Sequence, residues 1–242
     1  MPETRLPAES DQSDGAAARF LVEPLTDRCR EVFEAGAHAC VGISPFNSYF
    51  SAERIAALAR WALGAFKRVH FFVPDTAAAY TLEALGYAPE RAAWKARRQG
   101  QYVRNKITRA LAAAGIDEPD GQLLDGQALA ENAAYRILQE RIEQCSREDS
   151  VFFRACLGAS GWTLERRLPA GQEPTHEQLC SAVRYFLAEL PLFLDTPGIT
   201  GEPASVFCYH QVPDFLDDLF RHRLSLCPAD GQGFVRVSEV TR

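Results

Sequence analysis

Two short apolar runs constrain this chain more than anything else in it. "HACVGI" (38–43) and "VHFFV" (69–73) are apolar along nearly their whole length, as strands buried on both faces of a parallel sheet are. Between them, "SAERIAALARWALGAF" (51–66) repeats its apolar residues at helical spacing, with Ser51 placed as an N-cap. Strand, helix and strand in that order predict a parallel sheet with helices packed on its faces.

The alternation continues along the chain. Segment 20–35 is helical in pattern. After Pro74 a helix spans about 76–85 and Gly86 ends it; another runs from about 89 to 113 and Gly115 stops it. "GQLLD" (121–125) reads as a short strand, 131–148 as a long helix, and 150–157 as the start of another. Thr175 and Gln178 form a capping box opening a helix that runs to Pro191. "SVFCYH" (205–210) is a strand, 213–222 a helix, and "GFVRVS" (233–238) a last edge strand. The expectation is an α/β fold: a single Rossmann-like domain over 19–242, its mostly parallel sheet flanked by helices. The leader 1–18 is polar, lacks an apolar period and reads as disordered.

Composition bounds the setting. At 242 residues with 47% hydrophobic and 24% charged, one sizeable core is affordable, and no Pro/Gly/Ser-rich linker divides it. The leader has no signal-peptide h-region and no apolar run is long enough to span a membrane, which points to the cytoplasm. Seven scattered cysteines without a C-x-x-C, and five scattered histidines without H-E-x-x-H, predict reduced, mostly buried thiols and no metal.

The net charge of −6 is unevenly spread. Residues 88–113 carry Arg91, Lys95, Arg97, Arg98, Arg104, Lys106 and Arg109 against Glu90 alone, a net +6, so the rest of the chain carries −12. At about 100° per residue, Arg91, Lys95, Arg98, Lys106 and Arg109 fall within an arc of about 80° that includes Tyr102. Ala92, Val103, Ile107, Ala110 and Leu111 lie on another side, facing a core, and Arg97 and Arg104 flank a separate edge. A stripe this uniform suits nucleic-acid phosphates, although a solvated charged face has the same pattern.

In parallel α/β sheets ligands bind at the carboxyl ends of strands. Two such ends carry reactive groups: Ser44 after the first strand, and Tyr209 with His210 at the end of the late one. In "VGISPFNSYFS" (41–51), Gly42 would let a substrate approach the backbone, Ser44 stands in the turn with a free hydroxyl, and Asn47 can orient a polar group. Free N–H groups of the following helix would stabilise an oxyanion. A plain turn built of Ser, Pro and Asn reads equally from the same letters. Tyr185 and Glu189, four residues apart on one helix face, could together hold an ammonium; the carboxyl lies in the apolar run "AELPLF" (188–193).

Taken together, these pieces resemble the cyclodipeptide synthases, which make a cyclic dipeptide from two aminoacyl-tRNAs. "GISPFNSYFS" resembles their nucleophile motif, "RYFLAELPLFLDTPGI" their Tyr/Glu helix and the loop after it, "SVFCYH" their last catalytic strand, and the basic helix their tRNA-contacting helix. The likeness covers about residues 30–225 in consistent order. It implies that Ser44 is the nucleophile, that Tyr185 and Glu189 hold the amino group, and that Tyr209 assists proton transfer during cyclisation. Asn47 and His210 then mark the Asn-Tyr-His subfamily, and Gly42 lines the site. Cys40, Phe72, Leu192, Phe193 and Phe207 are expected around the first aminoacyl pocket, and 211–214 near the second. The implied fold is that of class I aminoacyl-tRNA synthetases, yet "HIGH"-like and "KMSKS"-like stretches are absent. The chain should therefore use tRNA already charged, with no cofactor; the resemblance also implies a monomer, as family members often are. Phe46 departs from relatives with a small residue before the Asn, which bears on the entrance beside Ser44. The rival readings are a non-catalytic tRNA-binding module of synthetase-like fold and a serine hydrolase pairing Ser44 with His210.

Overall fold

The computed structural model describes residues 20–240; the expected leader, 1–18, lies outside the described residues. The strands are β1 (Phe20–Pro24), β2 (His38–Gly42), β3 (Arg68–Val73), β4 (Leu123–Asp125), β5 (Ser205–Tyr209) and β6 (Gln232–Glu239). They form one sheet in the order β1-β6-β5-β2-β3-β4, parallel throughout except for β1, which pairs antiparallel with β6. The helices are α1 (Asp27–Glu34), α2 (Ala52–Ala65), α3 (Ala78–Ala84), α4 (Pro89–Ala113), α5 (Gly126–Glu131), α6 (Ala133–Glu148), α7 (Ser150–Glu165), α8 (His176–Thr200) and α9 (Asp214–Phe220). The α/β expectation holds, with helices on both faces of a mostly parallel sheet.

Strand periodicity sorts the side chains into two cores. Val41, Phe71, Val73, Val206 and Cys208 point to one face, where Ile55 and Leu58 of α2 and Val103, Ile107 and Leu111 of α4 cover them. Cys40, Phe72, Phe207 and Phe234 point to the other, under Ile142 of α6, Phe152 of α7, Leu190 and Phe193 of α8 and Leu216 of α9. The helix signals act as read. Ser51 Oγ accepts from Arg54 N, the Thr175/Gln178 capping box is complete, and Gly86 and Gly115 take positive φ of 89° and 87° past their helices. Four of the seven thiols are buried.

Three expectations fail for identifiable reasons. Residues 20–24 form a strand because they pair with β6 at the far end of the chain, with Glu23 bonded to its cross-strand partner Arg236 at 2.7 Å. For the same reason β6 is interior and β1 is the edge. Finally, α8 does not stop at Pro191. A proline in a helix costs about 3 kcal/mol, but Leu190, Leu192, Phe193 and Leu194 are all buried around it. Each such side chain contributes about 1.5–3 kcal/mol, so packing outweighs the lost bond. The break comes at Asp195 (φ −156°, ψ 63°), whose carboxylate accepts from Gly198 N at 2.8 Å and starts the last turn.

At the amino ends of the strands, opposite the strand ends that carry the reactive groups, a buried polar chain crosses the sheet. His38 Nδ1 meets Ser205 Oγ at 2.6 Å and His38 Nε2 meets His70 Nδ1 at 2.7 Å, joining β5, β2 and β3. Burial holds both rings below the usual histidine pKa, with their mutual repulsion adding to the effect on His38.

Candidate active site

β2 and β5 are neighbours, so their carboxyl ends bring Ser44 and Tyr209 together. Ser44 Oγ lies 2.8 Å from the Tyr209 hydroxyl and 3.4 Å from that of Tyr185, and Tyr185 donates to Glu189 Oε1 at 2.6 Å. A serine, two phenols and a carboxyl thus form one connected chain from β2, β5 and α8. The helix α8 supplies the last two members because its i,i+4 pair shares a face.

Burial dominates the electrostatics. It pushes the Glu189 carboxyl up to about 8, partly offset by the Tyr185 hydrogen bond. It also pushes the Tyr209 phenol to about 12, with the Glu189 charge adding and Ser44 and Asn47 pulling back, and it holds Tyr185 well above its ordinary value. At neutral pH the phenols are protonated donors and Glu189 is largely neutral. A carboxyl held this way ionises readily when a cation arrives beside it.

His210 serves Asn47, not Ser44. Asn47 Nδ2 faces His210 Nε2 at 3.4 Å, and Asn47 Oδ1 accepts from Tyr49 N at 3.0 Å. The imidazole stacks on Tyr49 at 4.1 Å, and burial, with Arg166 and Arg54 nearby, lowers its pKa to about 4. It is a neutral ring that fixes a loop, and Ser44 has phenols where a hydrolase triad would have an imidazole; the hydrolase reading has no geometric support. Nor does Ser44 abut a helix N-terminus, since residues 45–51 separate it from α2, whose first turn Ser51 caps.

Phe46 has φ 60°, the left-handed region, at a cost of about 1–2 kcal/mol for a residue with a Cβ. The turn swings its ring against Ala78, Ala79, Leu82, Ala92 and Ala96, beside Tyr87 and Tyr185, so it walls the site instead of plugging it.

A cavity of about 620 Å³ opens beside Ser44, a size that suits a small organic ligand. Phe46, Thr81, Ala159, Thr163, Tyr185, Phe186, Glu189, Phe193, Leu216 and Phe234 line it, with Arg54, Trp162, Arg166, Arg167 and His210 around them. Of the five residues expected at the first aminoacyl pocket, Phe193 alone lines this cavity. Cys40, Leu192 and Phe207 are closed in the core at 0%, 0% and 2% exposure, and Phe72 reaches a separate hollow between α5, α6 and α8. Gly42 also differs from expectation. A Cβ there would meet Phe207 Cζ at 2.9 Å and Tyr209 Cδ2 at 3.2 Å, so it makes room for the two rings and not for a substrate. Sequence reading missed Tyr49 and Phe186, although both stand inside quoted motifs, and Leu216 and Phe234, which carry no local signal. Within 211–214, Gln211 and Pro213 do line the cavity. Among the described residues, no group of three or more His, Cys, Asp or Glu is placed to hold a metal.

α4 packs Ala92, Ala96, Val103, Ile107, Ala110 and Leu111 inward, as its pattern required, and displays Arg91, Arg97, Arg98 and Arg109. Lys95 is half-buried, and Lys106 donates to Phe50 O at 3.3 Å. Arg104 is the exception. It pairs at 2.8 Å with Asp125, which is 6% exposed, and so ties α4 to β4. It is a brace inside the fold, not an outward phosphate ligand.

A family model for cyclodipeptide synthases matches residues 20–239. The chain is 34% identical to the cyclo(L-leucyl-L-leucyl) synthase of Bacillus subtilis, over 93% of this chain and 92% of that protein. It superposes with a TM-score of 0.86 on a cyclodipeptide synthase from Bacillus thermoamylovorans, at 28% identity over 92% of this chain and 97% of the other. A Mycobacterium tuberculosis structure, demonstrating that cyclodipeptide synthetases are related to type I tRNA synthetases, gives a TM-score of 0.81 at 33% identity, over 91% and 94% of the two chains. The match spans the sheet, the Ser44 loop, the Tyr185/Glu189 helix and the Tyr209 strand end together: the chain belongs to the cyclodipeptide synthase family.

Proposed function

We propose that this enzyme joins the aminoacyl groups of two aminoacyl-tRNAs into a cyclic dipeptide by a ping-pong route through an acyl-serine at Ser44, without ATP. The observation that carries this reading is the connected chain Tyr209–Ser44–Tyr185–Glu189 at the edge of one cavity. Ser44 Oγ attacks the ester carbonyl of the first aminoacyl-tRNA, forming the acyl-serine, and its proton leaves with the ribose hydroxyl. One ester replaces another, so no further activation is needed. The peptide bond forms when the amine of one aminoacyl ester attacks the carbonyl of the other; the attacked C–O bond breaks, and its alcohol, Ser44 or the ribose hydroxyl, leaves with the amine's proton. The free amine of the dipeptidyl ester then attacks its own ester carbonyl, closing the ring and releasing the alcohol that carried the dipeptide. Closure is intramolecular, and its high effective concentration favours it over hydrolysis.

Glu189 handles the amine. An α-amino group has a pKa of about 8, and the Glu189 carboxyl is held at about 8. Proton exchange between the two is therefore nearly balanced, and the amine reaches its nucleophilic form inside the cavity. Tyr185 positions the carboxyl, Tyr209 contacts the reacting hydroxyl, and Asn47 with His210 holds the loop, the Asn-Tyr-His arrangement. Arg91, Lys95, Arg97, Arg98, Lys106 and Arg109 on α4 grip tRNA phosphates. The protein works in the cytoplasm, where charged tRNA is available. The test is incubation of the purified enzyme with a mixture of charged tRNAs and no ATP, with mass analysis for cyclic dipeptides. Release of a cyclic dipeptide is expected; its absence with every amino acid overturns the proposal.

A further inference from the structure

α4 displays two large aromatic side chains with no place in the core. Trp94 is 53% exposed and Tyr102 is 48% exposed. Arg98 lies between them at four-residue spacing, so the three make one ridge along the helix. The Arg98 guanidinium is 5.2 Å from the Trp94 ring and 5.6 Å from the Tyr102 ring, and its Nε donates to the Tyr102 hydroxyl at 3.0 Å. One turn earlier, Arg91 and Lys95 lie 5.5 Å and 5.2 Å from the Tyr87 ring. The helix, with Tyr87 just before it, therefore alternates cations with aromatic faces, where phosphate binding alone would need only the cations.

The ridge is also close to the chemistry. The inner side of the same helix segment, Ala92 and Ala96, packs with Phe46 and Tyr185 beside the Ser44 loop. A helix with its side chains is about 10–12 Å across. A nucleic-acid strand whose terminal ester reaches Ser44 would pass over this helix with its last nucleotides. In tRNA those nucleotides are unpaired, and their bases have free faces to stack.

We propose that Trp94, Arg98 and Tyr102 form a stacking platform for the unpaired 3′ nucleotides of an aminoacyl-tRNA, so that α4 grips bases as well as phosphates. The assignment rests on the tRNA-dependent reading above. Exposed rings set among cations match the stacking surfaces of single-strand-binding proteins, which hold bases by their faces and tolerate any sequence. Stacking also separates from phosphate contact by salt. Each neutralised phosphate adds about 0.7–0.9 to the slope of log affinity against log salt, whereas a stacked base contributes affinity without adding to that slope.

The experiment measures binding of uncharged tRNA to wild type, Trp94→Ala, Trp94→Phe and Arg91→Ala across a salt series. It is repeated with tRNA trimmed of its unpaired 3′ nucleotides, and cyclic-dipeptide formation is followed in parallel. Trp94→Ala should weaken binding of intact tRNA about 5- to 100-fold with an unchanged salt slope, and Trp94→Phe should restore most of it. Arg91→Ala should reduce the slope, and trimmed tRNA should bind wild type and Trp94→Ala equally. Wild-type binding and product formation with an unaltered Trp94→Ala overturns the platform alone, as does an equal loss on intact and trimmed tRNA. A wild type that neither binds tRNA nor forms product overturns the tRNA reading and the platform with it.

Discussion

Replacing Glu189 by Gln should make the protein more stable and nearly inactive, with a stability gain that grows with pH. Glu189 titrates at about 8 in the fold against an ordinary 4.5. A raised pKa means the folded state binds the proton more tightly than the unfolded chain does. Its stabilising effect is complete below about pH 4.5 and is lost progressively as pH rises toward 8. At 1.36 kcal/mol per pKa unit the ceiling on this loss is about 1 kcal/mol at pH 5, about 3 at pH 7 and about 5 at pH 9. Glu189 faces the cavity, whose solvent screens the charge, so roughly half is a fair expectation. Gln has no charge to lose and can still accept from Tyr185. Histidines contribute equally to both proteins and cancel in the difference. The gap in Tm between Glu189→Gln and wild type should therefore widen by about 4–8 °C from pH 5 to pH 9, taking 2–4 °C per kcal/mol for a chain of this size. Turnover should fall about 10²- to 10⁴-fold, as loss of a proton acceptor predicts. Differential scanning calorimetry across that range measures the gap. A gap independent of pH, or a variant less stable than wild type at pH 9, refutes the assignment of a desolvated carboxyl.

Other perturbations probe other parts of the account. Gly42→Ala puts a Cβ against the Phe207 and Tyr209 rings; it should cost about 1–3 kcal/mol and lower kcat more than it raises KM, measured by thermal melts and steady-state kinetics. Reversing Arg98→Glu with Arg109→Glu should weaken tRNA use about 10- to 100-fold near 0.1 M salt and leave the circular dichroism unchanged; equal activity at low salt would make α4 a solvated face. The His38–His70 chain acts opposite to Glu189. Its folded pKa values are depressed, so its stabilisation is intact above about pH 6.5 and is lost as pH falls below that. His38→Gln should therefore flatten the acid side of the Tm profile.

Much of the molecule is legible in its sequence because the signals are local. The β2–α2–β3 unit, the Ser51 cap, the Thr175/Gln178 box and the Tyr185/Glu189 face all depend on residues within a few positions of each other, and the structure has them as read. What failed depends on distant partners. Phe20–Pro24 is a strand only because β6 lies beside it. Whether Phe207 lines a pocket or fills one depends on Gly42, which admits its ring. Apolarity marks Cys40 and Leu192 as buried but cannot say which side of a wall they occupy. Arg104 shares the charge of its neighbours, yet Asp125 arrives from β4 to claim it. Trp94 carries no charge, and its indole falls just outside the arc of the basic stripe, so charge alone does not mark it.

The central claim is that Ser44 carries an acyl group between two tRNAs. The most direct test is to mix the enzyme with one species of charged tRNA, quench, and map the peptides by mass spectrometry. The account predicts one aminoacyl adduct on Ser44, absent from Ser44→Ala and discharged as cyclic dipeptide when more charged tRNA is added. A cyclic dipeptide formed at the wild-type rate by Ser44→Ala, or an adduct on any other residue, would contradict it.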